Sequence, residues 1–299
     1  MAVDRYAASG GTVRLTAQPD MLASYAKAAA GLLPLPGGGH GALPQRTYEI
    51  AGYRVDPDHL AAYARVCGLR LTDTLPLTYG FVLTFPSVMK LMTARDFPLP
   101  AVGMVHVGNR IEQLRPVSVS EPLDLRIHAE GLGPHRKGTQ VQLVSEISAG
   151  GAPAWRQTST FLKIGGGSGE DSSQRSAQKD DAPDDPGVPT TTLHADQKII
   201  SRYAAVSGDR NPIHVSSLGA KAFGFPRTIA HGMWSAAAAL GALEGRIPEH
   251  AVYDVRFGKP MVLPTRAAEY VRRTGEGWAL ELRHPRKQHP FLTATLGEG

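Results

Sequence analysis

Residues 203–233 read YAAVSGDRNPIHVSSLGAKAFGFPRTIAHGM. This one stretch holds an acid, an amide and two imidazoles, at Asp209, Asn211, His214 and His231. Gly208 and Pro212 interrupt any continuous helix across it, because glycine frees the backbone and proline lacks an N–H. The apolar spacing before Gly208 is helical, so a helix should end there and hand its polar block to a constrained loop. A turn at Asn211-Pro212 would aim Asp209 and His214 into one cavity. A carboxylate with a reference pKa of about 3.9 and an imidazole near ~6.5 can together hold a water and move its proton. Asn211 offers both a donor and an acceptor to fix that water or a neighbouring side chain. The same residues also suit a plain Asx turn, with Asp209 and Asn211 bonded to local backbone and His214 a satisfied core residue.

The block Ile229-Ala230-His231-Gly232-Met233 adds to this. Gly232 allows close approach of a ligand to the backbone, and a strong helix pattern, MWSAAAALGALE, follows it. Free N–H groups at a helix start favour developing negative charge, which makes the Gly232 N–H a candidate oxyanion donor. Tight helix–sheet packing is the other use of a glycine there. His231 is read as a hydrogen-bonded turn residue in a supporting place. The helix from Ser235 to Leu243 has almost no polar face and should be buried against a sheet.

Outward from this stretch the chain repeats itself. HADQKIISRYAAVSG (194–208) matches RVDPDHLAAYARVCG (54–68) in apolar spacing, and YDVRFGKPMVLPTRAAEYVRR (253–273) matches VHVGNRIEQLRPVSVSEPLDLRI (105–127). Alternating segments at 103–115, 122–130, 139–147 and 154–163 predict an antiparallel meander after the first helical part, with 278–284 and 290–296 as later strands. Phe85-Pro86 is expected to open a helix. The expectation is α+β, with two copies of one domain at 46–164 and 190–299. Residues 1–45 form a Gly/Ala/Pro-rich extension with one short helix, Met21 to Leu33, and Gly37–Gly39 as a flexible connector. Residues 165–189, rich in Gly, Ser, Asp and Pro, are expected to be a disordered linker. The copies differ where chemistry would sit: LRLTDTLPLTYGFVL replaces DRNPIHVSSLGAKAF, with no imidazole after Asp73. One half should carry the reaction and the other act as its partner.

Composition narrows the class. The 299 residues are 42% hydrophobic and 20% charged, with a net charge of +5, as expected of a soluble globular protein. The one cysteine, Cys67, rules out an intrachain disulfide and a cysteine-rich zinc site, and suits a reducing, cytoplasmic setting. No apolar run is long enough for a membrane span, and neither a secretory leader, a basic recognition helix nor an RNA motif stands out. The mild positive charge suits an anionic small ligand.

SGDRNPIH followed by FGFPRTIAHGM resembles the signature of the MaoC-like R-specific enoyl hydratases and 3-hydroxyacyl-thioester dehydratases. The resemblance covers 194–297 well and 46–164 as a degenerate copy. It implies a double hot-dog fold, with two antiparallel sheets each wrapping a central helix. It places the acid–base pair on Asp209 and His214, the oxyanion donor on Gly232, and supporting groups on Ser207 and Asn211. The implied reaction is reversible hydration of trans-2-enoyl thioesters carried on CoA or an acyl carrier protein, without metal or cofactor. A hot-dog thioesterase and a silent acyl-thioester binder are the alternatives. Ser216 and Thr265-Arg266 depart from the family pattern, which bears on substrate detail. Arg266, Arg272, Arg273, Arg283, Arg286 and Lys287 are candidates for CoA phosphates or an acidic carrier, and further pairing into a homodimer stays open.

Overall fold

Two helices with the same construction lie near the starts of the two repeats. In the first, α2 (Pro57–Cys67), the Asp56 side chain accepts from the Asp58 N–H, Pro57 opens the helix, and Gly68 at φ 71° closes it. Its counterpart, α4 (Gln197–Ser207), is capped by Asp196 on the Ile199 N–H and closed by Gly208 at φ 73°. The two lie against each other, with the Tyr63 and Tyr203 rings 6.3 Å apart and His59 Nε2 2.8 Å from the Val206 carbonyl. A computed structural model describes residues 11–30, 41–165 and 187–299. The Gly37–Gly39 run and most of the expected linker lie outside the described residues. The expected helix from Met21 is α1 (Met21–Ala30), and its last expected turn also lies outside them.

The strands are β1 (Thr12–Arg14), β2 (Thr47–Tyr53), β3 (Met104–Gln113), β4 (Leu123–His135), β5 (Gly138–Ala149), β6 (Ala152–Ile164), β7 (Thr191–Ala195), β8 (Ala251–Phe257), β9 (Thr265–Thr274), β10 (Gly277–Arg283) and β11 (Pro290–Glu298). They form one mixed sheet in the order β1-β2-β4-β5-β6-β3-β8-β11-β10-β9-β7. From each edge inward the two halves run in the same sequence of strands, β2-β4-β5-β6-β3 against β7-β9-β10-β11-β8. Where two separate sheets were expected, β3 and β8 pair antiparallel from Gly108↔Arg256 to Gln113↔Ala251. That seam satisfies backbone groups that a free strand edge would leave open.

Helix α3 (Tyr79–Met92) lies against β4, β5 and β6. Pro86 does not open this helix, as its sequence suggested, but sits inside it. Interior proline costs about 3 kcal/mol. Nearly every residue of α3 is buried, and each large side chain so placed contributes about 1.5–3 kcal/mol, so packing wins. Gly80 lets the helix reach the sheet: a Cβ there would fall 2.6 Å from the Trp155 ring. The corresponding helix of the second half, α7 (Gly232–Ala239), continues as a 3-10 turn over Leu240–Leu243, and Met233 to Ala239 are buried as their composition demanded. Tyr253 of β8 donates to the Ala236 carbonyl at 2.9 Å and ties this helix to the seam.

Candidate active site

The end of α4 sets the site. Ser207 donates its hydroxyl to the Tyr203 carbonyl at 2.8 Å and accepts from the Asp209 N–H at 3.2 Å, so the chain leaves the helix in a fixed direction. Asp209 Oδ1 accepts from the Asn211 N–H at 3.2 Å, and Asn211 Oδ1 accepts from the Ile213 N–H at 3.3 Å. These are the bonds of Asx turns, and they start the one-turn helix α5 (Pro212–Val215) that carries His214. The local turn does not compete with a shared cavity: it is what brings the side chains together. His214 Nε2 lies 4.0 Å and His231 Nε2 3.8 Å from Asp209 Oδ2.

Each imidazole is oriented by a carbonyl. His214 Nδ1 is 2.8 Å from the Ile229 carbonyl, so this nitrogen donates and a neutral ring leaves its Nε2 lone pair towards Asp209. His231 Nε2 is 2.8 Å from the Asp209 carbonyl and holds the backbone of the acid. The two rings stack at 3.8 Å between centroids with 29° between planes. Burial lowers the pKa of both: His214 falls below the usual histidine value against the opposing pull of Asp209, and His231 falls to about 3. Burial works against the Asp209 carboxylate as well. It is outweighed by the imidazoles of His231 and His214, the Tyr25 hydroxyl and the Asn211 N–H, which hold the group below the ordinary carboxylate range.

Gly232 begins α7 with His231 as the residue before it, so its N–H has no acceptor within the helix. Asp209, Asn211, His214, His231 and Gly232 all line one cavity of about 310 Å³. Ser207 does not line it and touches the Asp209 backbone instead. The far wall comes from the first half: Phe81 and Phe85 of α3, Met104 to His106 of β3, and Phe161 of β6. Phe223, Phe225, Phe257 and Phe291 continue it in the second half, with Lys259 as the lysine of the lining.

Two residues that sequence reasoning passed over belong to the site. Tyr25 of α1 donates to Asp209 Oδ1 at 2.7 Å. His106 stacks on Phe161 at 4.5 Å, and burial pushes its pKa down to about 4. Its Nε2 has no protein partner among the described residues. The lone aromatic in MLASYAKAAAGLL and the imidazole inside an alternating strand were the available signals, and both are weak. The basic residues near the C-terminus, by contrast, do not line the cavity. Arg272 and Arg283 both pair with Glu281, and Arg273 lies over the Trp278 ring.

Asp209, His214 and His231 also have metal-ligand spacing, with donor atoms within 4.8 Å of one another. His231 Nε2 carries its proton towards the Asp209 carbonyl, so that nitrogen has no lone pair to give a metal.

The MaoC-like domain family matches residues 176–281. The chain is 45% identical over 286 residues to 3-hydroxyacyl-thioester dehydratase X of Mycobacterium tuberculosis, covering 93% of this chain and 98% of that one. The crystal structure of HtdX from the same organism superposes with a TM-score of 0.76 at 43% identity, over 85% of this chain and 100% of that one. A MaoC-like dehydratase from Phytophthora capsici shares the fold, with a TM-score of 0.67 at 19% identity over 85% and 94% of the two chains. This chain belongs to the MaoC-like dehydratase family.

Proposed function

We propose that this chain is a 3-hydroxyacyl-thioester dehydratase that reversibly hydrates trans-2-enoyl thioesters to R-3-hydroxyacyl thioesters. The observation that carries this is Asp209 Oδ2 facing His214 Nε2 across 4.0 Å in the cavity where α7 begins. That gap is too long for a direct hydrogen bond. A water about 2.8 Å from each atom would bridge them at an angle of about 90°. In hydration the water oxygen bonds to C3 while its proton passes to the Asp209–His214 pair. The electrons of the C2=C3 bond move onto the thioester oxygen, where the Gly232 N–H meets the charge. The pair returns a proton to C2, so H and OH add with no change of oxidation state. Proton transfer by side chains and polarisation by an N–H ask for no metal or organic cofactor.

The same proposal gives the halves their roles. Residues 190–299 form the catalytic hot-dog around α7, and 46–164 a degenerate one around α3, whose Phe81, Phe85 and Phe161 give the acyl chain an apolar wall. The carrier is CoA or an acyl carrier protein, whose phosphates Lys259 can meet. Among the described residues no helix is long and apolar enough to cross a membrane, and the buried free Cys67 suits a reducing, cytoplasmic setting. The test is loss of enoyl absorbance with crotonyl-CoA and with a long-chain enoyl-CoA, followed by chiral analysis. R-3-hydroxyacyl product is expected; free CoA or S product would sink the assignment.

Gly232 can be tested at its N–H. The first helical position tolerates proline, and His231 at φ −67° and ψ 135° already has the extended backbone a residue before proline adopts. Gly232→Pro should therefore keep α7 while removing the donor. Gly232→Ala is the control for crowding, since a Cβ there would lie 3.0 Å from the Phe257 ring. The proline variant is expected to turn over more slowly than the alanine variant by a factor on the order of 10²–10³. Equal rates in the two would remove Gly232 from the oxyanion site.

A further inference from the structure

We infer that Tyr25 is a positioning residue for the catalytic carboxylate, delivered to the active site by the N-terminal segment. This rests on the assignment of Asp209 above and goes beyond it, because no chemistry in the second half requires residues 11–30. The segment is tied down at several points. Strand β1 pairs in parallel with β2 from Thr12↔Thr47 to Arg14↔Glu49. Gln18 Nε2 donates to the Leu83 carbonyl of α3 at 2.7 Å. Asp20 Oδ1 accepts from the Leu22 N–H at 2.7 Å and starts α1. Met21, the first residue of that helix, covers the backbone of Gly208, where an added Cβ would meet its side chain at 3.1 Å. These contacts place Tyr25 over the residue that follows Gly208.

The two carboxylate oxygens of Asp209 then have separate tasks. Oδ1 accepts from the Tyr25 hydroxyl at 2.7 Å and from the Asn211 N–H at 3.2 Å. Oδ2 has neither bond and is the oxygen next to His214 and His231. A carboxylate held by two donors on one oxygen cannot rotate about its Cβ–Cγ bond without losing both, so Oδ2 stays aimed at the water. The hydroxyl also favours the ionised form, because it donates to it. Five titratable groups face Asp209: His214 and His231 from its own loop region, Tyr203 from α4, His106 from β3, and Tyr25 from α1. Of these, Tyr25 gives the carboxylate a neutral side-chain hydroxyl, at the oxygen away from the imidazoles.

The test combines kinetics with a spectroscopic probe in the full-length chain. Tyr25→Phe is expected to lower kcat for crotonyl-CoA hydration about tenfold, the scale of one hydrogen bond to a charged group, with KM little changed. The lower limb on the acid side of the kcat/KM profile, the one set by the carboxylate, should move to higher pH, since the carboxylate has lost a donor. A purely structural role would lower the melting temperature without moving that limb. In parallel, 3-fluorotyrosine placed at position 25 reports phenol ionisation by 19F resonance. It should ionise well above the usual tyrosine range in the intact chain, and at lower pH once Asp209→Asn removes the negative charge. This arm decides the matter should Tyr25→Phe fold poorly. A pH–rate profile superimposable on the parent, or a 19F titration indifferent to Asp209→Asn, would overturn the inference. If Asp209→Asn itself keeps full activity, the fault lies in the assignment of the acid instead.

Discussion

Asp209→Asn is expected to lower kcat for crotonyl-CoA hydration by about 10³-fold, with KM little changed, because it removes the proton acceptor and leaves the apolar walls intact. Asparagine preserves the volume and an oxygen for the Tyr25 hydroxyl, so the loss should be chemical rather than structural. The pH dependence of the parent enzyme follows from the same groups. In the proposed mechanism the working form holds an ionised Asp209 and a neutral His214. Asp209 lies below the ordinary carboxylate range, and burial holds His214 below the usual histidine value. Activity should therefore be full at neutral pH and persist below the pH at which a free histidine would protonate. It is then lost as pH falls through the His214 value and, lower still, that of Asp209. His214→Ala should erase the first of these losses, leaving a slow plateau. A profile that fails on the acid side near the free-histidine value would show His214 to be in contact with bulk water.

The second large effect concerns stability. Glu269 lies on β9 with 0% exposure, and neither carboxyl oxygen has a protein partner among the described residues. Burial pushes its pKa from the ordinary 4.5 up to about 8. The sign follows from proton binding: between those two values the folded chain keeps a proton that the unfolded chain releases. The contribution of Glu269 to stability is therefore greatest below the lower value and falls as pH rises towards the upper one, by about 1.4 kcal/mol per pH unit. Across the whole window the loss is on the order of 5 kcal/mol. Glu269→Met has no proton to exchange and replaces an unpartnered polar group with an apolar one of similar length. Thermal unfolding from pH 5 to pH 9 should give curves that diverge as pH rises, with the variant on the order of 10 °C ahead at the alkaline end. Parallel curves would mean that the carboxyl has a partner or reaches solvent.

Local signals carried the site where the chain itself makes the geometry. Asp209, Asn211 and His214 come together through one proline turn, so their spacing sufficed. His231 was legible as a hydrogen-bonded turn residue, and its bond to the Asp209 carbonyl bears this out, though its stacking on His214 depends on a loop closure that spacing does not encode. Tyr25 was out of reach because it meets Asp209 from 184 residues away, across an alanine-rich segment with no pattern that points to a carboxylate. Pro86 misled for a general reason: proline rules describe a solvated helix, while α3 is held by burial on nearly all sides. Strand positions were readable from alternation, but the joining of the halves was not. Alternation says which face of a strand is apolar and nothing about which edge it pairs with.

That joining fixes how the cavity can move. The first half carries the aromatic wall on β3 and its neighbours, and the second half carries the acid and imidazoles beyond β8. The ladder from Gly108↔Arg256 to Gln113↔Ala251 can slip only by whole residues, and a slip of one would turn every side chain of the strand to the opposite face. The two walls are thus geared together in discrete steps, with no small sliding motion available to widen the cavity at its seam. Away from the seam, Phe223 and Phe225 of the lining stand outside the strands, while Lys259 is held to β11 by its N–H bond to the Pro290 carbonyl at 3.0 Å.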